Sequence, residues 1–464
     1  MANFRKIGKV EMIVMAVLLL YAVTTHNAIA TVCAVITPFI LIRLLWKENE
    51  SPYLFLASLI QWLSITIKIF YADFQSVDFQ EVFDNYKDIE KAYYASLTGI
   101  ISVALGIHLI IRRYSVEKEE YAEIALRYDS RKLVPLYIIA TVLYPLLLNR
   151  SYAMGGLQQP IAKLADFKWM IFFIFMMSTF FTKQYKLFFL ITGLEVLLSL
   201  TGFFSSFKDY FLVLFGGLAV VYSKTIKFKQ IIPLFGLVVM FLYMIVIWQY
   251  IKPAYRSYLN GGTISQNSIR TNTESLSKLH ELVGNVNQSN IDAGFKQTID
   301  RIAYIDFFSA TIDYVPRVVP HTHGRLWGDA LGRVAQPRIL FPNKEVIDDS
   351  ETTRRYSGMQ VAGAESAASI SLGYMTENYI DFGMPGMFIS LFIYGLIIGI
   401  AYKYVITSSP DKLIGTAMTI PLFILIYMFE SALNKLIGGL LMYLLIYELI
   451  RRFALEKFLK QIKI

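Results

Sequence analysis

The sequence predicts an all-α polytopic integral membrane protein, with about twelve transmembrane helices and one large extracytoplasmic loop. Three observations carry that expectation. Hydrophobic residues make up 55% of the 464 positions and charged residues only 17%, a balance too apolar for an ordinary soluble domain. Twelve apolar runs recur along the chain, most of them near the ~20 residues a helix needs to cross a hydrocarbon core. Lys and Arg gather at alternate ends of these runs, the asymmetry that orients helices in a bilayer.

In chain order the runs lie at 10–23, 28–46, 53–71, 94–111, 133–148, 169–181, 187–204, 210–222, 231–251, 384–402, 413–429 and 436–449. The first is followed at once by His26, Asn27 and a second run, which reads as a membrane hairpin rather than a cleavable leader. Arg5, Lys6 and Lys9 precede the first run. Lys47, the group from Arg112 to Lys132, Lys183 with Lys186, the group from Lys224 to Lys229, Lys403 with Lys412 and the tail from Arg451 to Lys463 follow at alternate ends. An even number of spans puts all of them on one side, so both termini are expected in the cytoplasm. The chain then divides into spans one to nine at 1–251, an extracytoplasmic loop at 252–383, and spans ten to twelve with a basic tail at 384–464.

The net charge of +9 is accounted for by these flanks, so nucleic acid is not an expected partner. A single cysteine, Cys33, excludes an intramolecular disulfide. Five scattered histidines and the lack of a phosphate-binding glycine loop leave no metal or other cofactor to expect. Outside the membrane no ATP or nucleotide sugar is available. A bond-forming reaction there needs a substrate that arrives activated.

Within the loop, 255–290 is rich in Asn, Ser, Thr and Gly and reads as an irregular lid with at most one short helix near 276–283. The spacing of Ile299, Ile302, Ile305 and Ile312 predicts one helix over 298–315, lying on the membrane surface or docked into the bundle and stopped by Pro316 and Pro320. Seven arginines gather between 301 and 355: Arg301, Arg317, Arg325, Arg333, Arg338, Arg354 and Arg355. Guanidinium matches phosphate in a two-pronged fork and keeps its charge beside a low-dielectric region. The cluster therefore reads as a site for a phosphate-bearing substrate, weighed against lipid anchoring and pairing with the Asp residues between Asp300 and Asp349.

Pro337-Arg338, followed by Phe341-Pro342-Asn343-Lys344, would present two cations on a stiff backbone. His321 and His323 titrate near neutral pH and are candidate bases. Glu365, Glu377 and Asp381 are the carboxylates nearest the return into the membrane, and Asp381 is also placed to cap a helix starting near Pro385. Lys208 and Lys435 sit at outer turns on the loop's side. Glu195, deep in the seventh run, should face the bundle interior.

The run from Gly324 through Pro337-Arg338-Ile339-Leu340-Phe341-Pro342-Asn343-Lys344, preceded by Arg301 and Pro320, resembles the loop of bacterial O-antigen and capsule repeat-unit polymerases of the Wzy type. Glu377-Asn378-Tyr379-Ile380-Asp381-Phe382-Gly383-Met384-Pro385-Gly386 completes the match, which covers most of 301–386. Two departures stand out: Ser205-Ser206-Phe207-Lys208, where relatives often have Ser-Arg-Gly, and no proline after Lys344.

The resemblance implies a type C glycosyltransferase-like fold in the bacterial cytoplasmic membrane. It further implies metal-independent, inverting transfer that polymerises undecaprenyl-diphosphate-linked repeat units into O-antigen, capsule or exopolysaccharide. Arg338 first, then Arg325, Arg301 and Arg354, with Arg355, Lys344 and Lys208, would hold the diphosphate as charge builds on it. His323, His321 or Glu377 would be the base, and Tyr379, Trp327 and Tyr356 would stack on sugar rings. The implied partners are the lipid-linked glycan, membrane lipid, a chain-length regulator and a flippase. The alternatives are an O-antigen ligase and a lipid-linked oligosaccharide transporter. A transporter would show paired broken helices or inverted repeats, and the sequence displays neither.

Overall fold

The structure is a computed structural model. It describes residues 8–47, 50–83, 88–112, 120–153, 158–200, 207–222, 228–263, 268–336, 341, 344, 348–363 and 369–464. Among the described residues there is no strand beyond an isolated bridge between Tyr128 and Lys463. The first four helices are α1 (Lys9–Ala22), α2 (Ala28–Leu45), α3 (Tyr53–Gln75) and α4 (Ile89–Ile111). Next come α5 (Tyr121–Ala125), α6 (Ser130–Ala153), α7 (Gln158–Ala165), α8 (Lys168–Phe181), α9 (Tyr185–Ser199), α10 (Phe207–Tyr222) and α11 (Phe228–Leu259). The central part holds α12 (Asn272–Gly284), α13 (Gln288–Ile302), α14 (Ile305–Tyr314), α15 (Arg325–Ala335) and α16 (Asp349–Ser357). The chain closes with α17 (Tyr374–Ser408), α18 (Lys412–Met418), α19 (Ile420–Ile426), α20 (Leu433–Leu449) and α21 (Leu455–Ile462).

Among the described residues, seven stretches of helix are long and apolar enough to cross a membrane: Ala28–Leu45, Tyr53–Gln75, Ile89–Ile111, Pro160–Phe181, Phe235–Leu259, Tyr374–Ser408 and Leu433–Ile462. Helices also cover the remaining apolar runs, at α1, α6, α9, α10 and the broken pair α18–α19. Inside these helices, hydroxyl groups turn back onto their own backbone. Thr37 donates to Cys33 O at 2.8 Å, Thr66 to Trp62 O at 2.9 Å and Thr179 to Phe175 O at 2.8 Å. That is how a polar side chain is satisfied where water is scarce. Glu195 faces the interior, bound to Lys168 at 2.6 Å and to the Tyr137 hydroxyl at 2.6 Å.

The closest helix pair is α4 with α17. A Cβ added at Gly106 would overlap the Phe392 carbonyl oxygen, and one at Gly395 would overlap that of Val103. Gly395-Leu-Ile-Ile-Gly399 is a small-residue repeat of the kind that lets helix backbones touch in a membrane. α17 begins at Tyr374, ten residues before the expected span, and passes through Gly383 as a kink rather than a turn, with φ 60° and ψ −169° at that residue. Only glycine reaches that conformation without strain.

Three other expectations are corrected. α11 runs to Leu259, carrying the ninth run past 251. The short helix expected near 276–283 is α12, which starts earlier, at Asn272, behind a reciprocal cap between Thr271 and Glu274. The single helix expected over 298–315 is two, broken at Ala303–Tyr304. Tyr304 sits at that break because its backbone N–H bonds Ser64 O at 3.3 Å and its hydroxyl bonds Ser371 O. Tertiary contacts there override helix periodicity.

Candidate functional site

The segment of α17 before Gly383 borders a cavity of about 230 Å³. It is lined by Arg325, Leu326, Asp329 and Arg333 of α15, by Asp348, by Glu351, Thr352, Arg355 and Tyr356 of α16, and by Glu377 of α17 and Asn434 of α20. α15 supplies four of these side chains, and Arg325, Asp329 and Arg333 point the same way because residues four apart share a helix face. Its start is fixed from outside the helix: Asp381, fully buried, accepts from Leu326 N at 3.0 Å, from Trp327 N at 2.9 Å and from the Thr322 hydroxyl. Asp381 therefore caps a helix, but that helix is α15 rather than one starting near Pro385. The Trp327 indole N–H adds a bond of 2.9 Å to Asn378 Oδ1. At the other end the Lys344 ammonium donates to Gln336 O at 2.8 Å and to Arg333 O, a cation at the negative end of the helix.

α16 is held as firmly. Asp348 caps it by accepting from Ser350 N at 2.9 Å, Ser350 Oγ takes Ile370 N at 2.9 Å, and the Thr353 hydroxyl reaches Ile370 O at 2.7 Å. The Arg355 guanidinium lies 5.4 Å from the centre of the Tyr356 ring, within cation–π range. Glu377, 6% exposed, accepts from Leu433 N at 2.5 Å and so starts α20. Asn434, one residue on, has a buried Oδ1 without a hydrogen-bond partner among the described residues. The cavity thus brings together three guanidiniums, a buried carboxylate, an aromatic face and an open acceptor. Asp329, Asp348 and Glu351 share it, so its formal charge is not positive.

Of the residues singled out in the sequence, Arg325, Arg333, Arg355, Tyr356 and Glu377 meet in this cavity. Arg338, with Pro337, and Glu365 lie outside the described residues. Lys344 serves as the end cap of α15. Arg354 points its guanidinium to Val361 O at 2.9 Å and lies 3.7 Å from Asp348. His321 does not line the cavity: its ring packs on Tyr379 at 5.3 Å and Nδ1 lies 3.2 Å from Ile380 O. His323 is exposed, with φ 51° in the turn before α15. Tyr379 is buried, its hydroxyl bonded to Val315 O at 2.8 Å, and Trp327 is half-buried with its N–H used as above. Neither ring lines the cavity. Lys435 is paired with Asp349.

Arg301 and Lys208 lie elsewhere. Arg301 forms a two-pronged pair with Glu430, at 2.7 and 3.0 Å, and lines a second cavity of about 470 Å³ with Gln249, Lys252, Pro253, Arg256, Gln297 and Asp300. Burial, and after it the neighbouring Arg301, lowers the Lys208 ammonium below the usual lysine value. Lys252 and Arg256 were not among the expected site residues. Their spacing of four on one helix face was the available signal.

No curated protein and no solved structure matches the chain. A family model does, over residues 12–464: the chain belongs to the family described as Domain of unknown function (DUF8712).

Proposed function

We propose that the protein polymerises undecaprenyl-diphosphate-linked oligosaccharide repeat units into a surface polysaccharide at the outer face of the bacterial cytoplasmic membrane, as the resemblance of its loop implies. Twelve spans with both termini cytoplasmic complete the proposal. The observation that carries it is the meeting of Arg325, Arg333, Arg355, Tyr356 and Glu377 in one cavity at the outer end of α17. Sugar sites need hydrogen-bonding carboxylates and amides around an aromatic face, and this cavity supplies both. Of the three candidate bases Glu377 is the one that lines it, so we assign the proton to Glu377.

In the proposed reaction a hydroxyl of the acceptor sugar attacks the anomeric carbon of the donor glycan from the face opposite the diphosphate. The bond from that carbon to the diphosphate oxygen breaks, the lipid diphosphate leaves with the bonding electrons, and the hydroxyl proton passes to the Glu377 carboxylate. Guanidiniums offset the charge that builds on the leaving group. Purified protein in detergent, given lipid-linked repeat units and no energy source, is expected to produce a ladder of longer lipid-linked glycans. Glu377→Gln should lower that extension at least ~100-fold while the protein remains in the membrane. Absence of any lengthening by the wild-type protein would overturn the proposal in favour of transport.

A further inference from the structure

The second cavity has the opposite electrostatic character. Lys252 and Arg256 of α11 and Arg301 of α13 converge on it, and Lys208 of α10 lies within electrostatic reach of Arg301 and Arg256. Against these four cations stand, among the described residues, three carboxylates, one of them Asp209 beside Lys208. Glu430 is taken by Arg301, and Asp300 lies 3.4 Å from the buried Lys68 ammonium. Like charges held close together oppose one another, and an arriving anion removes that opposition. The geometry is built rather than incidental. Gly294 lets α13 lie directly on α11, since a Cβ there would come within 2.6 Å of Val246 O, and Asn290 adds a 2.7 Å bond to the Tyr250 hydroxyl.

The wall leading to this cavity is apolar and uncovered. In the span Phe235–Leu259 only 17% of the most apolar window is buried, against 44–78% in the other six spans. Phe235, Val239, Leu242 and Tyr243 are all exposed along it. A charged pocket at the end of an open apolar helix matches a molecule with an anionic head and a long hydrocarbon tail.

We propose that the cavity between α11 and α13 binds a phosphate-bearing lipid headgroup through Lys252, Arg256 and Arg301, with the lipid tail along the exposed face of α11. Read with the function proposed above, on which this clause alone rests, the lipid is the diphosphate carrier. Its headgroup then sits across the segment Glu430 to Asn434 from the sugar cavity: Glu430 binds Arg301 on one side, and Asn434 lines the sugar cavity on the other. An ordinary anionic phospholipid offers the same chemistry, and the two sources separate by experiment.

Full-length protein in detergent is titrated with a short-chain polyprenyl diphosphate and with phosphatidylglycerol, and bound lipid is counted by native mass spectrometry. Wild-type protein should bind the diphosphate. The double variant Lys252→Gln, Arg256→Gln should bind it at least tenfold more weakly, and Arg317→Gln, at an exposed arginine paired with Asp313 outside both cavities, should change that affinity less than twofold. Equal competition by phosphatidylglycerol assigns the site to bilayer phospholipid and keeps the cavity. Undiminished binding by the Lys252/Arg256 variant overturns the inference. A diazirine placed on the tail of the diphosphate tests it in the wild-type chain without any substitution. Labels on Val239, Leu242 or Tyr243 support the inference, and labels confined to helices other than α11 overturn it. Retained binding with no glycan extension would refute the polymerase proposal and leave this one standing.

Discussion

α17 is held in two different ways along its length. Past the kink at Gly383 it lies against α4 through glycines, with Gly395 facing the Val103 carbonyl and Gly106 facing that of Phe392. Before the kink it is held by directional bonds to other elements: Glu377 to α20, Asn378 and Asp381 to α15, and the Tyr379 hydroxyl to Val315. The first contact is a matter of shape and depends on atoms the side chains lack. The second depends on individual polar atoms, so each one can be removed and its effect read separately. A rigid, glycine-packed half supports a half whose side chains can be aimed, which is the arrangement a site needs on a membrane helix.

The largest effect is expected where shape decides. Gly395→Leu puts a branched side chain into the Val103 backbone, and overpacking of this kind costs about 3 kcal/mol or more. Folded protein should be nearly absent by size-exclusion chromatography of the detergent extract, and a normal yield would show that α4 and α17 can move apart freely. An intermediate effect is expected at Asp381→Ala. It leaves the amides of Leu326 and Trp327 and the Thr322 hydroxyl without their acceptor, at about 2 kcal/mol for a lost cap. The melting temperature should fall and glycan extension drop at least tenfold, whereas Asp381→Asn, which keeps an acceptor oxygen, should recover part of both. An unchanged melting temperature in the alanine variant would remove Asp381 from the support of α15. The smallest effect is expected at His323→Ala. The side chain is exposed and outside the cavity, so extension should change less than about threefold. A loss of a hundredfold or more would return the base role to His323.

Much of the architecture was legible in the sequence because hydrophobic length is a local property. Each apolar run carries a helix, and the interior position of Glu195 followed from its depth alone. The break between α18 and α19 was missed within a run that looks continuous, although Pro421 at the start of α19 marks it. Gly395-Leu-Ile-Ile-Gly399, and Lys252 with Arg256, were also readable by spacing. The cap from Asp381 to α15 was not, since donor and acceptor lie more than fifty residues apart and nothing local records which helix end a carboxylate will meet. The same holds for Lys344, whose place at the end of α15 depends on where that helix stops.

The anchors on α17 before Gly383 also fix its register. Glu377, Asn378 and Asp381 point to their partners only while the count of residues from Gly383 is unchanged, because one inserted residue turns a helix by about 100°. A single insertion or deletion between Tyr374 and Phe382 would therefore swing all three groups away together, whatever residue was added. Substitution removes these anchors one at a time, whereas a length scan through this stretch would remove all three at once.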